Sequence, residues 1–157
     1  MTLEPVSTGP HAYMGGSPSC WALYGRLLER EYSDPAYMAS HRTTVDAYAA
    51  QHPGRPEPRA IQSVNIHLVA LHLTLERGAQ ADFVRRVLSY LAKRKGELQW
   101  LTPPARLGPL TVADALEAAD PAEHAKRIEA WGRSVWTAWA PHHPEIIRIA
   151  DRVIADM

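Results

Sequence analysis

Residues 61–77, IQSVNIHLVALHLTLER, constrain the fold more than any other stretch of this chain. At about 100° per residue, Val64, Leu68, Leu71 and Leu75 form one apolar stripe of a helix and Ile66, Val69 and Leu73 form another. A helix with two apolar faces has to be covered on both, so it belongs in the middle of other elements. Two polar seams run between the stripes, Ser63, His67 and Thr74 on one side and Asn65, His72 and Glu76 on the other. Buried polar groups need partners, and whatever faces these seams is the expected place for a site.

The flanking sequence supplies helices to do the covering. Residues 1–16 hold Gly, Pro, Ser and Thr without periodicity and read as an irregular arm. Ser17-Pro18 opens a helix through Trp21, Tyr24 and Leu27 to about Tyr32, and Asp34-Pro35 opens a second, through His41 and Tyr48 to about Gln51. His52, Pro53 and Gly54 stop it, Pro58 begins the central helix and Gly78 ends it at a C′ position. An amphipathic helix follows from Ala81. Residues 98–109, LQWLTPPARLGP, read as an ordered loop anchored by Trp100 and Leu101. Thr111 with Asp114 resembles a capping box for a short helix, Asp120-Pro121 starts a longer one carrying Ile128, Trp131, Val135 and Trp139, and a last helix follows Pro144. No segment alternates with period two. The expectation is an all-α, single-domain bundle of six or seven helices over residues 17–157 with a buried central helix.

Bulk properties narrow the function classes. A chain of 157 residues, 46% of them hydrophobic, is large enough to bury a core without staples. Lys+Arg and Asp+Glu stand at 17 each with no long run of one sign, which disfavours nucleic acid and anionic membranes as partners. The single Cys20 excludes an internal disulfide, and no apolar run approaches the roughly 20 residues that span a bilayer, so a cytoplasmic location is expected. Five Trp and six Tyr against one Phe favour aromatic side chains that carry a polar handle, which suits pockets and interfaces.

In a hairpin of the second and central helices turning near Arg55, His41 lies fourteen residues before the turn and His67 twelve after it. At roughly 1.5 Å per residue the two imidazoles share a level and are expected to face each other. His72, five residues from His67, is rotated by about 140° and is not expected to join. The first helix would bring Cys20 and Tyr24 toward Tyr48, and Glu29 or Glu31 toward Tyr37, so that a carboxylate closes the site. Two His and one carboxylate with open positions is a nonheme metal pattern, which makes His41 and His67 candidate ligands of a divalent transition metal; the plainer alternative is imidazoles hydrogen-bonded to Thr, Tyr or Asp inside a bundle. Cys20, near a helix start, is a candidate nucleophile or a small buried hydrophobe. Asp46 lies one turn from Arg42, spacing for a structural ion pair.

The segments SPSCWALYGRLLEREYSDPAY, HRTTVDAYAAQHPG, IQSVNIHLVALHLTLERG, WLTPP with LTVADAL, and SVWTAWAPHH jointly resemble the bacterial family of unknown function catalogued under number 5946. The pattern takes in Cys20, Trp21, Tyr24, Tyr32, Asp34, Pro35, His41, Asp46, Tyr48, Gln51, His52, Gln62, Ser63, His67, Trp100, Pro103, Trp139 and His142, and it leaves out His72. A Cys-Pro-x-Cys segment common in that family, suggestive of a small metal clasp, has no counterpart in residues 1–10 and is not carried over. The resemblance implies a site without supplying a reaction.

The leading expectation is a buried His-lined pocket for a small molecule, with a divalent metal as an optional cofactor. His41, His67 and Tyr48 are its candidate catalytic residues, and Cys20, Tyr24, Gln62, Ser63 and Trp139 its candidate ligand-binding residues. Imidazole acid–base work and metal-activated water are the mechanisms within reach. The rival is a non-catalytic interaction or homodimerisation module built on the Trp-rich C-terminal helices.

Overall fold

Small polar residues followed by proline start three of the helices. In the computed structural model, which describes residues 17–157, the Ser17 side chain accepts from the Cys20 amide at 3.2 Å and Pro18 occupies the first turn of α1 (Pro18–Ser33). Asp34 does the same for Ala36 at 2.8 Å, opening α2 (Pro35–Met38), and Asp120 for Glu123 at 2.8 Å, opening α7 (Pro121–Ala138). Each of these side chains satisfies an amide that the helix itself leaves unpaired. Thr111 and Asp114 form the reciprocal capping box at α6 (Val112–Leu116). The remaining helices are α3 (His41–Gln51), α4 (Pro58–Leu71), α5 (Ala81–Ala92) and α8 (His143–Ala155). Among the described residues there are eight α-helices and no strand, so the chain is all-α as the periodicity predicts. The expected arm, residues 1–16, lies outside the described residues. None of the helices described is long and apolar enough to cross a membrane.

Two expected helices differ in detail. The one anticipated from Pro35 to Gln51 breaks at Ala39 and Ser40, where the Ser40 amide closes onto the Tyr37 carbonyl at 3.2 Å. The break lets α2 lay Tyr37 edge-on against His124 of α7, ring centroids 5.0 Å apart, while α3 sets off in its own direction. The central helix is α-helical only to Leu71; His72–Glu76 form a π-helical turn. Its apolar rhythm is unbroken across the change, so the sequence does not mark it.

α4 touches α3, α5, α7 and α8, and Val64, Leu68, Val69, Leu71 and Leu73 are all buried. Both apolar stripes are therefore covered. α7 crosses α3 so closely that a Cβ on Gly132 would stand 2.8 Å from the Thr43 methyl. Residues 98–110 form the expected ordered loop, pinned by Gln51: its amide donates to the carbonyls of Leu107 (3.1 Å) and Leu110 (2.7 Å) and its oxygen accepts from the Trp131 indole (3.0 Å). Gly108, at φ 95°, lets this loop run against the backbone of Ser134, which a side chain there would meet at 2.9 Å.

Candidate functional site

The sequence of α3 gives it two polar flanks. His41, Thr44 and Tyr48, at spacings of three and four, share the flank that meets α1. Asp46 is five residues beyond His41, about 140° around the helix, and meets α4.

On the α1 flank the centre is Glu31, whose carboxylate is fully buried. The Thr44 hydroxyl donates to its Oε2 at 2.5 Å, His124 Nε2 lies 2.8 Å from the same oxygen, and His41 Nδ1 lies 3.1 Å from Oε1. An ionised carboxylate only accepts, which assigns the imidazole protons to His41 Nδ1 and His124 Nε2. His124 is fully buried and its other nitrogen finds no partner among the described residues. His41 is 26% exposed and turns Nε2 outward, 3.4 Å from the Tyr32 hydroxyl.

Further toward the start of α1 the aromatic candidates come together. The Tyr24 and Tyr48 rings stack at 3.9 Å and 7°, Trp21 leans on both, and His52 lies 4.2 Å from Tyr48 while donating from Nδ1 to the Tyr48 carbonyl at 2.8 Å. Burial pushes the Tyr48 phenol up to about 12, with the charge of Cys20 beside it adding to the effect. Burial, and then the charge of Glu31, raises Tyr24 as well. Both phenols are therefore neutral at ordinary pH. Cys20 is a free, half-buried thiol, and burial lowers the pKa of His52 against a weaker opposing pull from the Tyr48 carbonyl.

On the α4 flank the centre is Asp46, also fully buried. It accepts from Arg42 Nε at 2.9 Å and from Arg42 Nη2, and its Oδ1 lies 2.7 Å from His67 Nδ1. His67 is 15% exposed.

His41 and His67 thus hold separate carboxylates rather than one between them. The hairpin register sets their level along the axis, but His41 shares its azimuth with Thr44 and Tyr48, and that face belongs to α1. Because the nitrogens facing Glu31 and Asp46 carry protons, they are not metal donors; the Nε2 atoms are the ones able to coordinate. Among the described residues no group of three or more His, Cys, Asp and Glu is disposed to hold a metal ion.

Cys20, Tyr24 and Tyr48 are brought together, as expected, and His41 continues their seam. Ser63 is one turn before His67 on α4, and Gln62 is rotated from it by about 140°; both are half-buried. Trp139 sits at the far end of α3, fully buried, its indole N–H donating to the Ala50 carbonyl at 3.0 Å. Thr44 and His124 are the functional-looking residues that sequence reasoning passed over. His124 had a signal: it occupies a position in the apolar stripe of Ile128, Trp131 and Val135, where an imidazole demands a buried partner.

A family model described as a family of unknown function (DUF5946) matches residues 6–140. The chain belongs to this family. Membership in DUF5946 agrees with the resemblance carried by the α1, α3 and α4 segments, and those segments build both carboxylate–imidazole pairs. No curated protein and no solved structure matched the chain.

Proposed function

We propose that this protein binds a small molecule at its histidine seams and uses His41 and His67 as acid–base groups toward it. One observation carries the reading: both partly exposed imidazoles are fixed through Nδ1 to fully buried carboxylates, leaving Nε2 turned away from the carboxylate. A carboxylate in that position selects the tautomer, orients the ring and favours the imidazolium that forms when Nε2 takes a proton. Cys20, Tyr24 and Tyr48 extend the α1 seam with a thiol and neutral phenols that can donate to a ligand, and Ser63, one turn before His67, extends the α4 seam, with Gln62 rotated off it. A divalent transition metal belongs to the same proposal, since a histidine held through Nδ1 by a carboxylate is the usual form of a metal-bound one; such an ion would complete its coordination with ligand or water oxygens. A cytoplasmic location fits the one free thiol.

Partner binding through the Trp-rich helices draws less support. Trp131, Trp136 and Trp139 are buried inside the chain itself, so a partner face on α7 and α8 would rely on residues such as Ile147.

Thermal-shift measurements with Zn²⁺, Mn²⁺ and a panel of small polar metabolites test the proposal on wild type, His41→Ala and His67→Ala. The expected result is a compound or metal that raises Tm in wild type and loses its effect in one or both variants. Shifts retained in full by both variants, or none in any of the proteins, overturn it.

A further inference from the structure

Away from the histidine seams, the end of α5, the turn after it and α8 enclose a cleft of about 270 Å³. Its floor is Leu91, Leu98, Ile149 and Val153, and its rim is Arg94, Arg148, Arg152 and Glu97. The floor residues belong to the core but show one side to this space. We propose that the cleft binds a small monoanion with a short apolar tail, a carboxylate in the first instance.

The rim has donors to spare. Each guanidinium offers five N–H groups. Arg94 gives one to Asp156 at 2.6 Å, and Arg148 uses Nε and Nη2 on Glu145 at 2.8 and 2.6 Å. The Arg152 guanidinium has no hydrogen bond or ion pair to any described residue. Three positive groups thus crowd one mouth with Glu97 as the single carboxylate among the lining residues, and the carboxylates that engage Arg94 and Arg148 stand outside the lining. Planar, forked guanidinium donors match a carboxylate two bonds at a time.

Glu97 limits the charge. Its field already acts on Arg148, so it opposes a second negative charge in the mouth and favours a monoanion over a phosphate dianion. Size limits the tail. At about 30 Å³ for each water-sized group, the space accommodates on the order of nine non-hydrogen atoms, which is a carboxylate on a chain of five or six carbons. Head and floor have to act together, because exposed arginines alone attract any anion weakly and an apolar floor of this size alone is a shallow one.

Methyl NMR on the full chain supplies the test, with hexanoate as the probe and hexanol, acetate and butyl phosphate as comparisons. Hexanoate should shift the methyl signals of Leu91, Leu98, Ile149 and Val153 saturably, and hexanol and acetate should bind at least tenfold more weakly. Arg152→Gln, a surface change whose folding is checked by its unaltered melting curve, should weaken hexanoate at least fivefold. Tighter binding of butyl phosphate than of hexanoate would overturn the monoanion assignment. Equal affinity for hexanol and hexanoate, an unchanged affinity in Arg152→Gln, or no saturable shift at these methyls with any of the probes would overturn the proposal.

Discussion

His67 and His72 stand five residues apart on the central helix and are treated in opposite ways. His67 is bound to a buried carboxylate and keeps one edge near solvent. His72, at the start of the π-helical turn, is buried with neither ring nitrogen bonded to any described residue, and it lies at 33° to Trp136 with centroids 5.7 Å apart. Trp136 in turn stacks on His143 at 3.7 Å and donates its indole N–H to Glu76 at 2.9 Å. One imidazole is thus held as a polar group with a fixed tautomer, and the other is packed as an aromatic disc. The same residue type on one helix is held as a polar group only where the neighbouring helix supplies a carboxylate, so a histidine has to be judged by what faces it.

The comparison is tested most severely at the carboxylates. Glu31→Ala would strip the acceptor from Thr44, His41 and the fully buried His124 at once, and His124 has no solvent to fall back on. The expected loss is about 3–5 kcal/mol in urea-unfolding free energy. Asp46→Ala should cost less, about 1–3 kcal/mol, because Arg42 and His67 are both partly exposed and can be rehydrated. An Asp46→Ala loss equal to or above that of Glu31→Ala would mean that burial of the partners does not rank these pairs. At the other end of the helix, His72→Phe should change stability by under about 1.5 kcal/mol in either direction, since it exchanges an unbonded buried ring for an apolar one of similar shape. A loss above about 3 kcal/mol would show that the His72 nitrogens are bonded after all.

These contrasts also mark what could be read from the sequence. The helices themselves were legible because their starts are local events: Ser17, Asp34, Thr111 and Asp120 each cap a helix within three residues of themselves. The Cys20, Tyr24 and Tyr48 seam was legible because the α1–α3 connection is short enough to fix which faces meet. The azimuth of His41 was harder. Register in a hairpin gives height, and height alone made His41 and His67 look like partners, whereas Asp46 takes the α4 face of α3. The π-helical turn left no local trace. Glu31 was one of two glutamates expected near Tyr37, but its fully enclosed position depends on α7, ninety-three residues on, delivering His124 to it.

The smallest effect expected is a pH dependence set by the buried, packed imidazoles. Burial lowers the pKa of His72 from 6.5, and the positive charge of Arg77 works in the same direction against Glu76 and Asp151; burial lowers that of His52 as well. A lowered folded-state value means that the unfolded chain takes up the proton first as pH falls. The contribution of each ring is therefore intact above 6.5 and is lost as pH drops through the folded-state value. Urea unfolding of wild type between pH 7.5 and 5 should show stability declining below 6.5, and His72→Phe, which has no imidazole to protonate on unfolding, should decline less steeply over the same interval. Parallel slopes for wild type and His72→Phe would show that the ring at the π-helical turn is as readily protonated in the folded protein as in the unfolded chain, and the distinction between the two ends of the central helix would fail at its clearest point.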